Sequence, residues 1–128
     1  MKLYKIFILF IFFNSFSFFG QIKKEKKILF FNKEEMSFDK NVFIIDGVTF
    51  RYLENKKYVK FSTIKKFVSS LKDMNLHIRK STIYDSKKDV SFYYSAFYNI
   101  YVYKEDKENS GYLYPVERIW VVKGKIVD

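Results

Sequence analysis

Apolar and polar positions alternate along this chain in short units. Residues 42–45 and 48–53 are two apolar-rich runs joined by Asp46-Gly47, a pair that readily takes the positive φ values of a two-residue hairpin turn. A β-hairpin is predicted there. Residues 28–31 (ILFF) predict one short strand ahead of it, and residues 58–61 another behind it. Ile64, Phe67, Val68 and Leu71 then fall at helical spacing, with Lys65, Lys66, Ser69, Ser70 and Lys72 between them. This predicts a helix over residues 63–74, opened by Ser62 and closed by Asn75. Residues 76–84 alternate weakly and predict a strand. Over residues 89–104 the even positions are mostly aliphatic (Val90, Ala96, Ile100, Val102, with Phe92), while the odd ones carry Tyr93, Phe97, Tyr101 and Tyr103. A period of two indicates one long strand, and the small pair Ser95 and Ala96 marks where it would bend. The polar run 105–111 reverses the chain into a strand over 112–122, and Lys123-Gly124 precedes a last short one.

The sum is an α+β domain: an antiparallel, curved sheet of about six or seven strands with one helix packed on one face. With no repeat, linker or composition break, residues 21–128 are expected to form a single domain. If the 105–111 loop sets Tyr103 opposite Tyr112, then Phe97 faces Arg118 and Ser95 faces Trp120. One face then carries Tyr93, Phe97, Tyr101, Tyr114, Arg118 and Trp120. The other is aliphatic and suits the helix. A slip of one residue would exchange the faces of the second strand.

Residues 1–20 differ from the rest. Lys2 and Lys5 precede an apolar run from Ile6 to Phe13, followed by Ser15, Ser17 and Gly20 at candidate cleavage positions, the pattern of a secretory signal peptide. The run is too short for the roughly 20 apolar residues of a membrane span. The expectation is export to the periplasm or the extracellular space, with no membrane span in the mature chain. The basic run Lys23, Lys24, Lys26 and Lys27 weakens the charge asymmetry that orients such a segment.

Net charge is +10, and removal of Lys2 and Lys5 leaves 24 − 2 = 22 basic against 14 acidic residues, or +8. Only Arg51, Arg79 and Arg118 are arginines, so the bidentate forks that read phosphates and base edges are scarce, and nucleic acid is a disfavoured partner. The chain lacks cysteine, which excludes disulfides, a thiol nucleophile and thiolate metal sites. His77, the single histidine, has no neighbour at metal-ligand or general-base spacing. It reads as a solvent-facing residue of its strand. Glu105, Asp106, Glu108 and Asn109 do not match a calcium-loop pattern, since Lys104 and Lys107 interrupt them. No phosphate loop, nucleophile elbow or dinucleotide fingerprint occurs. No cofactor or metal is expected.

Two stretches resemble pieces of known folds. Trp120 to Val127 is similar to the closing hairpin of nuclear-transport-factor-like domains, without the helices that open that fold. Phe43 to Phe50 with Tyr58 to Leu71 is similar to the hairpin, strand and helix of copper-amine-oxidase N-terminal-like modules, without their proline-rich helix entry. Neither covers enough of the chain to assign a family.

Aromatic content, at 22%, is the remaining lead. Tyrosine, tryptophan and arginine concentrate at binding hot spots because they offer large rigid contact area with a polar handle. The sequence therefore points to a small exported binding protein without catalytic activity, using Tyr93, Phe97, Tyr101, Tyr114, Arg118 and Trp120 for a protein or sugar-like ligand. The competing reading is a small pocket enzyme of curved-sheet type, using carboxylates as acid and base. If the N-terminal strands instead cover the aromatic face as a second core layer, that binding site is removed.

Overall fold

A computed structural model of the chain describes residues 23–31, 41–122 and 125–127. The signal-peptide segment 1–20 lies outside them. The architecture is α+β: an open, mostly antiparallel sheet of six strands with three short helices, and a separate two-stranded hairpin at the end. The strands are β1 (Glu25–Phe30), β2 (Val42–Ile45), β3 (Val48–Tyr52), β4 (Lys57–Lys60), β5 (Tyr98–Lys107), β6 (Ser110–Arg118), β7 (Trp120–Val122) and β8 (Lys125–Val127). The helices are α1 (Phe61–Ile64), α2 (Leu71–Arg79) and α3 (Tyr94–Phe97), with 3-10 turns at Lys65–Phe67 and Val90–Tyr93. The sheet runs β1-β5-β6-β3-β2, with β4 also paired to β6 and β1 parallel to β5.

The predicted hairpin forms as read. Asp46 and Gly47 take φ values of 48° and 80°, and Ile45 pairs with Val48. Beyond it, β3 and β4 share one side of β6, separated by residues 53–56. The interruption falls at Pro115, whose carbonyl accepts from the Leu53 N–H at 2.8 Å. In an antiparallel ladder a residue's N–H and C=O point to the same neighbour. The hydrogen that proline lacks would therefore have pointed at this break, which is where a central strand tolerates it.

Three expectations are corrected. The helix predicted over 63–74 is two elements: Val68 turns to extended backbone, bridges Ile28 of β1, and Ser69 N–H bonds to the Ile28 carbonyl at 2.9 Å. The chain restarts as α2 because the Ser70 hydroxyl accepts from the Asp73 N–H at 3.2 Å, a local N-cap. Residues 76–79 are then helical and not a strand, so His77 is an exposed helix residue.

The second correction is the long strand. Its first half is helical: the Asp89 carboxylate accepts from the Ser91 N–H at 2.8 Å and opens the 3-10 turn that runs into α3. Val90, Tyr94 and Phe97 also stand at i, i+4 and i+7, a helical pattern hidden within the alternation. Only from Tyr98 does the strand begin.

The third is register. Tyr103 pairs with Leu113 and Lys104 with Tyr112, one residue from the expected pairing, because β5 continues to Lys107 through an irregularity after Glu105 and turns at Glu108-Asn109, with Asn109 at φ 64°. The slip exchanges the faces of β6. Gly111 fits the tight pairing, since a Cβ there would stand 2.2 Å from the Lys104 carbonyl oxygen.

Alternate positions of the sheet feed two cores. Leu29, Ile100, Val102 and Val116 pack with Phe43, Phe50, α2 and α3 on one side. On the other, Ile28, Tyr103 and Leu113 are covered by Ile64, with Phe61, Phe67 and Tyr101 at the margin. The apolar stripe assigned to one helix is thus divided, with Ile64 on one side of the sheet and Leu71 on the other.

Candidate functional site

The six residues expected to share one face occupy four places. Phe97 is buried in the main core, and Tyr93 braces it at 6.2 Å between ring centroids while its hydroxyl accepts from the Asp85 N–H at 2.8 Å. Tyr101 lies on the other side of the sheet beside Phe67, with the Lys26 ammonium 5.0 Å from its ring. Tyr114 faces Tyr52 at 5.1 Å. Tyr93 and Phe97 meet within the core, and Arg118 and Trp120 meet at the surface. The alternation placed Tyr93 and Phe97 on a strand that does not exist, and the register slip parted Tyr114 from Tyr101.

Arg118 ends β6, and its guanidinium is fixed from three directions. Nε donates to Ser91 Oγ at 3.0 Å, and Nη1 donates to the Thr49 carbonyl at 3.3 Å and to the Ile119 carbonyl. Ser91 in turn donates its hydroxyl to the Asp89 carboxylate at 2.8 Å. The bonds from the Ser91 N–H and hydroxyl hold the Asp89 carboxyl below the usual carboxylate range, with Arg118 adding to the effect. Burial lowers Arg118, opposed by Asp89 and Tyr94, yet an arginine remains charged throughout.

The guanidinium carbon lies 3.8 Å from the centroid of the Trp120 ring, and Phe92 stacks on the same indole at 4.5 Å. Phe92 is 55% exposed. Trp120 itself is half-buried and pairs across β7 and β8 with Val127. Val122 and Val127 are exposed on that hairpin. The arrangement is an aromatic and apolar surface with one oriented cation. The alternation had assigned Phe92 to the aliphatic face. What identifies it instead is the Asp-Val-Ser spacing of 89–91, an Asx-type start that turns the next residue outward.

Carboxylates are sparse in the clefts. A cleft of about 280 Å³ beside Arg118 is lined by Glu117, which the Arg51 Nε engages at 2.9 Å. A second is lined by Asp46 and a third by Glu54, one acid in each. Among the described residues no group of three metal-ligating side chains converges, and no helix is long and apolar enough to cross a membrane. No protein-family model matches the chain, and no curated protein or solved structure resembles it at a significant level.

Proposed function

We propose that this chain is an exported, non-catalytic binding protein that engages a protein partner through Phe92, Trp120 and Arg118. The observation that carries the reading is Phe92, held 55% exposed on a capped turn while stacked on an indole that also bears a bonded guanidinium. Holding a large apolar ring in water has no benefit to the free fold beyond the stack itself, whereas a rigid Phe-Trp-Arg cluster is what a binding hot spot requires. The exposed Val122 and Val127 extend the surface with aliphatic area, which suits a protein more than a sugar. Single, separated carboxylates in the clefts favour binding over acid and base chemistry, which needs two such groups about one substrate.

The test is affinity capture from the native cell envelope with the wild-type chain and a Phe92→Asp variant in parallel. A partner retained by the first and lost by the second supports the proposal. Equal capture by both, or none by either, contradicts it. Export is tested on the native protein by mass spectrometry, where a chain beginning near residues 18–21 is expected and an intact Met1 would contradict the signal-peptide reading.

A further inference from the structure

A second site stands apart from the Trp120 surface and is independent of it. Lys104 is a strand residue, paired with Tyr112 in the β5–β6 ladder. Its ammonium lies 4.2 Å from the Phe31 ring centroid, 4.7 Å from that of Tyr52 and 5.3 Å from that of Tyr114. Lys56, from the loop between β3 and β4, places its own ammonium 4.7 Å from Tyr112 and 5.8 Å from the same Tyr114 ring. Two cations thus converge on one tyrosine. Aromatic faces offset part of an ammonium's charge but accept none of its three hydrogens in the way an oxygen does. Neither lysine has an ion-pair partner or a hydrogen-bond acceptor among the described residues.

Both lysines line an open cleft of about 580 Å³, whose other walls include Tyr52, Tyr114, Asn41 and Asn55. The Tyr52 hydroxyl is buried without a hydrogen-bond partner. Burial, and then Tyr114, push its pKa well above the ordinary tyrosine value, so it stays a donor. Lys104 is lowered first by burial and then by the neighbouring Lys56 charge. Apart from Glu54, the groups the cleft leaves unmet are donors: two ammonium groups at close quarters and the Tyr52 hydroxyl hydrogen. Asn55, held at φ 74°, and Asn41 add amide groups at the wall. Glu54 stands on the same cleft and makes no ion pair with either lysine.

We infer that the cleft between Lys56 and Lys104 binds an oxyanion, a carboxylate, sulfate or phosphate group, which accepts from the two ammonium groups over the Tyr114 ring. The group arrives either as a free inorganic ion or on an acidic sugar, for which Tyr114 and the two asparagines provide a ring platform and amide contacts.

The experiment is a titration of the full folded chain, followed by amide and lysine-ammonium NMR, with sodium phosphate, sodium sulfate and sodium glucuronate, each against sodium chloride at matched ionic strength. Saturable shifts centred on Lys56, Lys104 and Tyr114 with at least one of the three are expected. The tightest of them identifies the source as inorganic ion or acidic sugar. The affinity should fall about tenfold or more in Lys56→Gln and in Lys104→Met, and rise in Glu54→Gln. Lys56 is exposed, so its variant keeps the fold and isolates the charge. Shifts that only follow ionic strength, as chloride produces them, or equal affinity in Lys56→Gln and wild type, would overturn the inference.

Discussion

The Arg118 guanidinium lies 3.8 Å from the centre of the Trp120 ring while its Nε is bonded to Ser91 Oγ at 3.0 Å. One side chain therefore joins the end of β6, the 3-10 turn at 90–93 and the closing hairpin. Replacing it by alanine should cost roughly 2 kcal/mol, the usual worth of bonds to a charged group, and leave Ser91 Oγ without its donor, while the Thr49 carbonyl keeps the Ile119 N–H at 3.0 Å. Arg118→Lys should recover less than half, because a point ammonium cannot hold the fork and the stack together. Urea unfolding of the three proteins reads this, and a lysine variant as stable as wild type would refute the fixed geometry.

Helix α2 presents Ile78 to the core and Leu76 to water, at 0% and 44% exposure. Ile78→Ala should lose about 2–5 kcal/mol, and Leu76→Ala no more than about 1 kcal/mol. The alternating strand expected over 76–84 would put both residues on the same face. Comparable losses at the two positions in denaturant melts would return the segment to that description.

Much of the first half of the chain was legible. Asp46-Gly47 specified its hairpin because a two-residue turn needs positive φ at both positions, which few other pairs supply. Residues 89–97 carry two patterns at once: an apparent alternation, and Val90, Tyr94 and Phe97 at helical spacing behind the capping residue Asp89, which decides for the helix. The helix at 63–74 failed because Ile28 was a competing partner: the bridge to Val68 is a long-range contact that no local pattern contains. The candidate surface suffers most, since the helical turns over 90–97 take Tyr93 and Phe97 out of the strand and the shifted β5–β6 pairing parts Tyr114 from Tyr101. Arg118 and Trp120 stayed together because only one residue separates them.

That slip rests on Gly111. Its α-carbon is packed so closely that a methyl group would collide with the Lys104 carbonyl at 2.2 Å. Gly111→Ala should cost about 3 kcal/mol or more, since backbone has to move. Gly47→Ala meets no atom within 4 Å and carries only its positive φ of 80°, so about 1–2 kcal/mol is expected there. Thermal melts of the pair check the ordering, and a smaller loss at Gly111 would contradict the register.

Alkaline pH should unfold the protein through its buried tyrosines. Burial pushes the Tyr94 and Tyr98 hydroxyls up to about 12 from the ordinary 10.0, and their protons are bonded to Asn75 Oδ1 at 2.5 Å and the Met74 carbonyl at 2.9 Å. A folded value above the unfolded one means that the folded state holds the proton longer. The stabilisation is complete below about pH 10 and is lost as pH rises toward 12. Circular dichroism followed together with phenolate absorbance should show late tyrosines ionising with the loss of structure. Full ionisation near pH 10 with the fold intact would show that these hydroxyls are not buried.

The central claim is that Phe92 and Trp120 form a contact surface for a protein partner. Trp120 is the only tryptophan, so a fluorotryptophan-labelled chain gives one fluorine NMR signal from the middle of the proposed site. On addition of envelope extract that signal should shift or broaden in the wild-type chain and stay unchanged in a Phe92→Asp chain that melts at the same temperature. A signal that does not respond while the extract still binds the chain would place the interaction elsewhere and contradict the account.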